Sequence, residues 1–510
     1  SSAGVLRWST LYDAAIFDQV TTNSAGHILL VGSAYVGFPT QAGTGAYAGA
    51  FLSNALASGE LTDGCIVAFS STGTRLWATY LGGTQMRTVA SDAAGNMLLA
   101  GTDLAGDITT QAGTGVFAGA YAQAASAGVD DVVFMGFAPN GARIWSTYFG
   151  GNGSDLAGHI TRRSDGRWYI SGYSTSNNLS TQAIGSMTGA YVDATYNGLG
   201  DGLLVGLSTN GALEWCTYFG GTHEDGTCGV ACSAQNDILV TGLSASSDFP
   251  VLAGTGNYAN GHFDNTMEGG QDAFVAAFAP NGTQQWTTYI GGSNVEGNGP
   301  TFNLGSTSME QIALDTCGNI IVVFNTGSAD MPTPVNSCTP TTDNDLGAMG
   351  FEDIYLMRLT PNGSLNYGTY IGGSGYEFRP PFALDHSSNS IFLSAETSDQ
   401  FYANDFPLVD AGGGAYFDNT LPDPRSDDSF ILKFSPAPCE ACNVPMVGVE
   451  VEAPGCYGAC DGTAVISVAH AVAPFTYAWS NGLSSSNASG LCSGSYTVTV
   501  TDANGHTASI

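Results

Sequence analysis

WSTYFGG, residues 145–151, is a seven-residue phrase that recurs along this chain with only small changes. Residues 77–83 read WATYLGG, and residues 215–221 read WCTYFGG. The copies carry one aromatic residue at the same position, namely Trp8, Trp77, Trp145, Trp215, Trp286 and Tyr367. Successive copies lie 68 to 81 residues apart, and such a period is typical of stacked supersecondary units. The phrase therefore predicts a repeat architecture in which these six residues are structural.

A hydrophobic run precedes each aromatic strand. VVFMGFAP at 132–139 and AFVAAFAP at 273–280 are examples, and Asn-Gly follows both. Asn-Gly between two such runs is a strong hairpin signal, because both turn positions tolerate positive φ. A second hairpin follows Gly-Gly, with turns such as DTCGN at 315–319. Four strands per repeat predict the blade of a β-propeller.

An insertion of about 25 residues, longer than the usual loop, also recurs with the period. ITTQAGTGVFAGAY at 108–121 is one copy, and we expect the insertions to connect the fourth strand of one blade to the first strand of the next. Their aromatic residues, Tyr47, Phe117, Tyr191, Tyr258 and Tyr416, are expected to hold each insertion onto its blade. The alternative is a ring of sugar-stacking side chains.

The two ends of the repeat region indicate how the ring closes. The last repeat ends at residues 427–436, DDSFILKFSP, without its aromatic strand, whereas the chain begins with an unpaired strand, VLRWSTLY, at 5–12. If the N-terminal strand completes the last blade, six blades close and no sheet edge is left open. The fold class is thus predicted to be all-β, a six-bladed propeller closed by the N-terminal strand.

The charge of the chain restricts its partners. Its 510 residues include 44 Asp and Glu but only 11 Lys and Arg, a net charge of −33. Binding to nucleic acid requires clustered cations, so no nucleic-acid partner is expected. There is no apolar run of about 18 residues, so no transmembrane helix is expected either. The start, SSAGVLRWST, resembles that of a processed secreted protein, although a fragment boundary would look the same.

Five of the eleven cysteines, Cys439, Cys442, Cys456, Cys460 and Cys492, fall near the C-terminus. An exported protein would use such a cluster for disulfides. Zinc is the alternative, but only Cys439 and Cys442 have the usual ligand spacing. Elsewhere, GGTHEDGTCGVAC at 220–232 crowds several reactive residue types together. A disulfide between Cys228 and Cys232, or between either and Cys216, is favoured over a metal or acid–base site.

Two loops are rich in aspartate. They contain the weak calcium candidates Asp343, Asp345, Asp423, Asp427 and Asp428. Calcium prefers such oxygen ligands, but neither loop has the EF-hand spacing. No cofactor is otherwise expected. The seven histidines match no catalytic motif, and we therefore expect no enzyme activity and no catalytic residue.

Taken together, the W/Y-S-T-Y-x-G-G strand, the D-x-x-G-N turn and the F-P-T and G-A-Y segments of the insertion resemble the SBBP-type β-propeller repeat of secreted bacterial proteins. The resemblance covers about residues 5–436, within a predicted domain 1–436. Residues 437–445, part of SPAPCEACNVP, are expected to be a linker.

The C-terminal region, 446–510, is similar to a different family. PFTYAWSNG and GSYTVTVTDANG resemble the SprB-type repeat of Bacteroidota surface adhesins. This resemblance implies a small immunoglobulin-like β-sandwich with Trp479 in the core and Tyr496 anchoring a strand. It also implies a disulfide between Cys460 and Cys492, leaving Cys456 for Cys439 or Cys442. His506 stands where many such repeats have cysteine.

The two resemblances imply a Bacteroidota-like protein, exported through the type nine route to the cell surface or the medium. We expect a structural or adhesion role, one version of which is the repeating subunit of an extracellular fibre. Its partners would be other surface proteins, glycans or copies of itself. The alternative is a carbohydrate-binding or carbohydrate-active propeller that uses the long insertions.

Overall fold

The computed structural model divides into two compact units, a larger one and a smaller one that contains the strands from Met446 onward, and each is described by itself. The residues that it describes are 12–57, 61–103, 106, 108–297, 311–332, 352–372, 376–378, 380–385, 390–398, 428–434, 446–452, 460–469, 474–492, 494–501 and 507–510.

Six antiparallel sheets form the first unit and confirm the predicted all-β, six-bladed propeller. The first sheet contains β1 (Ala15–Thr22), β2 (Ile28–Tyr35), β3 (Thr62–Phe69) and β4 (Arg75–Tyr80). The second contains β5 (Thr84–Ser91), β6 (Met97–Asp103), β7 (Asp131–Phe137) and β8 (Arg143–Phe149). The third contains β9 (Asp155–Arg162), β10 (Trp168–Ser174), β12 (Asp201–Leu207) and β13 (Leu213–Phe219), with the short β11 (Gln182–Ala183) beside β13.

The remaining sheets follow the same plan. The fourth contains β14 (Asp225–Cys232), β15 (Ile238–Ser244), β16 (Asp272–Phe278) and β17 (Gln284–Ile290). The fifth contains β18 (Gln311–Leu314), β19 (Ile320–Thr326), β20 (Asp353–Leu359) and β21 (Leu365–Ile371). In the sixth, β22 (Tyr376–Phe378) and β23 (Phe382–Asp385) both pair with β24 (Ser390–Ser398), which also pairs with β25 (Asp428–Phe434).

The long insertion lies inside a blade, and the prediction that it connects two blades is wrong. In the second blade, β6 and β7 pair along their whole length, from Met97 opposite Phe137 to Asp103 opposite Asp131, although the insertion separates them in the chain. The second hairpin of one repeat therefore shares a sheet with the first hairpin of the next. Blade boundaries consequently fall at Gly-Gly, after the aromatic strand.

The hydrophobic core lies between neighbouring blades. One cluster combines Leu98 and Phe134 of the second blade with Ile170 and Leu203 of the third. Every residue of β7, whose sequence is DVVFMGF, is buried, because both faces of this inner strand pack against a neighbouring blade. This explains why the runs that precede each Trp are continuously apolar.

Hydrogen bonds also link consecutive blades near their first strands. The backbone N–H of Val89 on β5 donates to Gln19 Oε1 on β1 over 2.6 Å. The N–H of Ile160 on β9 donates to Thr88 Oγ1 on β5 over 3.1 Å. The first strands of consecutive blades therefore lie side by side.

The insertion covers the outer edge of its own blade. Gln111 and Ser146 of β8 exchange two backbone hydrogen bonds of 2.9 and 3.1 Å. Equivalent backbone contacts join one pair of residues in each of three other blades. These pairs are Gln41 with Ala78, Gln182 with Cys216, and Leu252 with Thr287. An open edge can pair with a foreign strand, so these contacts protect the ring. Each covering segment leads into a single 3₁₀ turn: Gly45–Tyr47, Gly115–Phe117, Gly185–Met187 or Gly256–Tyr258.

The second unit contains two three-stranded antiparallel sheets. One is formed by β26 (Met446–Glu452), β27 (Gly462–Ala469) and β29 (Asn487–Leu491). The other is formed by β28 (Thr476–Trp479), β30 (Val498–Thr501) and β31 (Thr507–Ser509). Trp479, Ile466 and Val500 are buried in one hydrophobic cluster. The Tyr496 hydroxyl donates to the Cys492 carbonyl over 3.2 Å, and this hydrogen bond closes the short segment between the two residues.

Two predicted features lie outside the described residues. They are residues 5–11 of the closing strand, with Trp8, and the linker 437–445. Both stay predictions.

Candidate functional site

The Gly-Gly dipeptides lie where the last strand of one blade leads into the first strand of the next. At the junction between the second and third blades, a Cβ atom on Gly150 would lie 2.4 Å from Asp131 Oδ1 and 2.7 Å from Asp155 Oδ2. At the next junction, a Cβ atom on Gly220 would meet Asp201 and Asp225 at 2.7 and 3.0 Å. The first glycine of the motif is thus required because two buried carboxyl groups converge on it.

This arrangement recurs at four consecutive blade junctions. One carboxyl group opens the third strand of a blade, and the other lies at or near the start of the next blade. We call them the junction pairs, and they are Asp131/Asp155, Asp201/Asp225, Asp272/Glu296 and Asp353/Glu377. All eight residues are buried. The junction between the first and second blades differs, since β5 begins with Thr84 and has no acidic residue there.

Hydroxyl and amide donors surround the second member of a pair. Asp155 accepts hydrogen bonds from Gly151 N over 2.7 Å and from Ser176 Oγ over 2.7 Å, and also from the Ser174 hydroxyl. Asp225 has the equivalent donors in Gly221, Ser244 and Ser246. Hydrogen bonds of this kind stabilise a carboxylate. They bind the start of one blade to its own second strand.

The serines belong to a short motif, Ser/Thr-x-Ser-x-Asp/Asn, that ends the second strand of a blade. Its last residue accepts a backbone hydrogen bond from the residue that follows Gly-Gly. Asn152 N donates to Asn178 Oδ1 over 2.8 Å, and Thr222 N donates to Asp248 Oδ1 over 2.9 Å. The second glycine is needed here, because a Cβ atom on Gly151 would lie 2.4 Å from Asn178 Oδ1.

The first member of a pair has fewer donors. Asp201 Oδ2 accepts from Asn197 N over 3.0 Å, and Asp272 Oδ2 accepts from Glu268 N over 2.9 Å. Their Oδ1 atoms are buried without a hydrogen-bond partner within the described part of the chain. Burial raises the pKa of Asp201 to about 7, and the negative charge of Asp225 adds to this effect. Burial likewise raises the pKa values of Asp155 and Asp225, against the hydrogen bonds that lower them.

The junction pairs are therefore suited to holding protons at blade boundaries. Two facing carboxyl groups cannot both ionise in a dry interface without a counter-charge. Among the residues that the structure describes, no three or more His, Cys, Asp or Glu side chains are grouped as metal ligands.

The predicted structural aromatic residues hold the insertions. The indole N–H of Trp77, Trp145, Trp215 and Trp286 donates to an insertion carbonyl, that of Phe51, Tyr121, Tyr191 or His262, over 2.8 to 2.9 Å. Tyr367 occupies the same position in the fifth blade and is buried. Trp8 lies outside the described residues.

Three of the insertion aromatics pack on these tryptophans. Tyr47, Phe117 and Tyr258 are buried, and their rings stack on the tryptophan of their own blade at centroid distances of 5.2 to 5.5 Å. In the third blade this position belongs to Met187, not to Tyr191 as expected. Tyr191 instead corresponds to Tyr121, because the N–H of each donates to a turn carbonyl of the next blade, Gly282 or Gly211. Tyr416 lies beyond the described ranges.

The cysteine predictions have mixed outcomes. Cys460 and Cys492 form a disulfide. Cys216 and Cys232, however, are free thiols, so neither of them pairs with Cys228. Cys228 and Cys232 lie four residues apart on β14, and four residues of extended strand span about 13 Å, too far for a disulfide. Cys439, Cys442 and Cys456 lie outside the described residues.

The cluster at 220–232 does not form one site. His223 is on an exposed turn, whereas Glu224 accepts a hydrogen bond from the Tyr173 hydroxyl over 3.1 Å. Asp225 belongs to a junction pair, and Cys228 is buried within the propeller. His223 and Glu224 precede β14, whereas Asp225 and Cys228 belong to it, so these side chains have separate surroundings.

The calcium candidates receive no test. Asp343, Asp345, Asp423 and Asp427 lie outside the described residues, and Asp428 begins β25 with its side chain undescribed.

The junction pairs follow a regular spacing in the sequence, although they match no known catalytic or metal-binding motif. One acidic residue lies 14 residues before Trp145, Trp215, Trp286 and Tyr367, and another lies 10 residues after each of them. Aligning the repeats on the aromatic residue and asking which polar residues recur would have found both.

Comparisons with known proteins add little beyond the fold. No protein family matches the chain, and no well-characterised protein matches its sequence. Among solved structures, it is similar to a protein of unknown function from Dyadobacter fermentans, at 11% identity over 77% of this chain and 93% of that one, with a TM-score of 0.37. A neuraminidase-like protein from A/bat/Guatemala/164/2009 has 10% identity over 82% and 88%, with a TM-score of 0.36. A gluconolactonase from Xanthomonas campestris has 10% identity over 76% and 96%, with a TM-score of 0.30.

A search of the described residues for a helix with the length and apolarity to cross a bilayer finds none.

Proposed function

We propose that the protein is an exported structural or adhesion module that binds its partners through one face of the propeller ring. The observation that carries this proposal is a row of exposed aliphatic side chains. Leu61, Val129 and Leu199 are 84%, 71% and 71% exposed. Each lies two residues before the first acid of the third strand, so the three occupy equivalent positions in consecutive blades. We call them the aliphatic row.

A row of this kind favours contact with another protein. Single exposed aliphatic residues are common on protein surfaces, whereas apolar patches mark interaction sites. We propose that these three residues act together because they recur at one position of consecutive blades. The partner that we favour is a second copy of this chain, which would produce the extracellular fibre. The polar residues that recur with the blade period are used inside the fold, in the junction pairs and their donors.

Export is supported by disulfide chemistry. Cys460 and Cys492 are joined, and Cys317 is also disulfide-bonded. Disulfides persist mainly in oxidising environments outside the cytosol. A Bacteroidota origin and the type nine route rest on the sequence resemblances alone.

The two family resemblances add the finer features of the architecture. The N-terminal strand is proposed to complete the sixth blade, and the C-terminal unit to be an immunoglobulin-like sandwich. Tyr12 supports the first, because its hydroxyl donates to the Pro39 carbonyl over 3.1 Å and its ring packs against Phe17 and Phe38. The end of the proposed strand is therefore fixed to the first blade. Deleting residues 1–11 should accelerate hydrogen exchange in β25, and unchanged exchange there would exclude closure by this strand.

The carbohydrate alternative gains no support from the insertion aromatics. Tyr47, Phe117 and Tyr258 are buried against tryptophans and offer no ring face to a sugar. We therefore keep the assembly function as the proposal.

The test is replacement of the aliphatic row. Leu61, Val129 and Leu199 are each changed to Asp, and assembly is measured by sedimentation velocity and negative-stain imaging. We expect the wild type to assemble with increasing concentration and the triple variant to remain monomeric with an unchanged thermal midpoint. The matched control changes Val36, Val116 and Ile184, which are exposed elsewhere, to Asp. Equal assembly of the triple variant and the wild type would refute the proposal, as would a wild type that stays monomeric at every concentration.

A further inference from the structure

The Asp272/Glu296 junction pair differs from the two junction pairs that precede it. Its second member is glutamate, which is one methylene longer than Asp155 or Asp225. The side chains lie close enough for the negative charge of Asp272 to raise the pKa of Glu296. Both residues are buried, at the boundary between the fourth and fifth blades.

The other contacts of this pair leave one position for a proton. Asp272 Oδ2 accepts from Glu268 N over 2.9 Å, and Glu296 Oε1 accepts from Thr326 Oγ1 over 3.1 Å. The remaining oxygens, Asp272 Oδ1 and Glu296 Oε2, are buried without a hydrogen-bond donor among the described residues. A carboxylate cannot donate a hydrogen bond, so these two oxygens can be joined by one only when one of the groups carries a proton.

We infer that Asp272 and Glu296 share one proton in the folded protein and that this carboxyl–carboxylate bond makes the joint between the fourth and fifth blades sensitive to alkaline pH. The proton gives one carboxyl group a donor and removes one of two facing charges. Its loss leaves two carboxylates together in a buried interface, where their repulsion is weakly screened.

The described groups that act on this pair are acidic or neutral. The acidic groups that face Asp272 are Asp264 and Glu268. The tyrosines Tyr289 and Tyr370 face Asp272 and Glu296 respectively, and Thr326 and Ser328 reach Glu296 from the end of the second strand of the fifth blade. Within the described part of the chain, none of the groups found to influence the pair is an Arg, Lys or His.

The backbone around the pair is part of the blade joint. Glu296 N donates to the Gln271 carbonyl over 2.9 Å, and Gln271 Nε2 donates to the Glu296 carbonyl over 2.8 Å. Gly297 N then donates to the Asn325 carbonyl of β19 over 2.8 Å. Repulsion within the pair would therefore strain the segment that connects the two blades.

The direction of the pH effect follows from linkage. Burial raises the pKa of Glu296 above its ordinary value of 4.5, and the neighbouring Asp272 charge raises it further. The folded protein therefore binds more protons than the unfolded chain as pH rises above 4.5. The stabilisation is fully present below that pH and is lost as pH rises through the elevated pKa. For each proton that only the folded state retains, the folding equilibrium constant falls roughly tenfold for each unit by which the pH rises.

Glu296→Gln tests this inference, because an amide reproduces the protonated carboxyl group at every pH. Urea unfolding of the full chain is measured at about pH 5, 7 and 9, values that bracket the range in which a raised carboxyl titrates. We expect the urea midpoint of the wild type to fall as pH rises. The folding constant of Glu296→Gln should fall less steeply, by roughly one tenfold factor per pH unit. Asp272→Asn should have the same effect. The matched control, Asp13→Asn, removes an exposed charge just before the first strand of the first blade and should behave as the wild type.

Infrared spectroscopy gives a second readout that does not depend on stability. The wild type should retain a protonated-carboxyl band at a pH where exposed acids are ionised, and Glu296→Gln should lack part of it. Identical pH dependence of Glu296→Gln and the wild type, or no difference in the band, overturns the inference. A loss of wild-type stability with EDTA that calcium restores would show a bridging cation instead and would overturn it as well.

Discussion

At the scale of single residues, the Gly-Gly of the repeated phrase is explained by what surrounds it. The first glycine lies against a pair of buried carboxyl groups, and the second lies against the end of the Ser/Thr-x-Ser-x-Asp/Asn motif. At Gly150 and Gly151 neither requirement concerns turn conformation, since neither has a positive φ, whereas Gly82 in the copy at 77–83 has a φ of +94°. Close approach of side chains is therefore the reason that these positions lack a Cβ atom.

Gly150→Ala should consequently destabilise the propeller. The added methyl group would lie 2.4 Å from Asp131 Oδ1 and 2.7 Å from Asp155 Oδ2, and such overpacking costs about 1–3 kcal/mol. Chemical denaturation measures the change. Gly270→Ala is the control, because its Cβ would meet only Val295 at an ordinary 3.5 Å. Equal stability of the two variants would mean that the carboxyl pair moves aside without cost.

At the scale of elements, the blade is a hairpin, an insertion and a second hairpin. The tryptophan of the last strand fastens the insertion through its indole N–H and through ring stacking, and the insertion in turn covers the blade edge. Gly211, in the turn of the third blade, packs against Trp145 and Phe117 of the second. One side chain therefore links its strand, its insertion and the adjacent blade.

Trp145→Phe separates the hydrogen bond from the ring. Loss of the 2.9 Å bond to the Tyr121 carbonyl should cost about 1 kcal/mol and accelerate hydrogen exchange at Gln111 and Thr114 of the insertion. Trp168→Phe is the matched control, because that buried indole N–H has no partner within the described ranges and its loss should not affect exchange. Unchanged exchange at Gln111 and Thr114 in Trp145→Phe would contradict the role of the indole N–H.

The disulfide of the second unit has a similar local role. Cys460 and Cys492 are 32 residues apart in the chain, and closing a loop of this length stabilises a fold by about 3–4 kcal/mol in the chain-entropy estimate. Replacing both with Ser should lower the unfolding midpoint of residues 446–510 and leave the unfolding transition of the propeller in place. Calorimetry can follow the two transitions. If the propeller transition falls by the same amount, the two units do not unfold independently.

The sequence predicted these elements unevenly, for physical reasons. The aromatic strand and the Asn-Gly hairpin are local signals, and both are correct. The blade boundary was placed wrongly because pairing between β6 and β7 is long-range, and no turn signal records it. Met187 was not predicted, because an aromatic ring was expected at a position where any large apolar side chain can pack on Trp215. The acids Asp131 and Asp155 look like surface residues until the fold brings them together.

At the scale of the whole molecule, most of the residues that recur from blade to blade stabilise the propeller. Cores lie between blades, insertions cover edges, and junction pairs occupy four consecutive boundaries. The aliphatic row is a recurring feature that faces outward. Because the edges of four blades are covered, we propose the aliphatic row as the surface for assembly with copies of the chain.

The most direct test of this account is an electron cryomicroscopy image of the protein assembled from pure, full-length chain. We predict a periodic assembly in which each propeller meets its neighbour over Leu61, Val129 and Leu199. Dispersed monomers, or an assembly in which the neighbour lies elsewhere and leaves these three side chains in solvent, would contradict it.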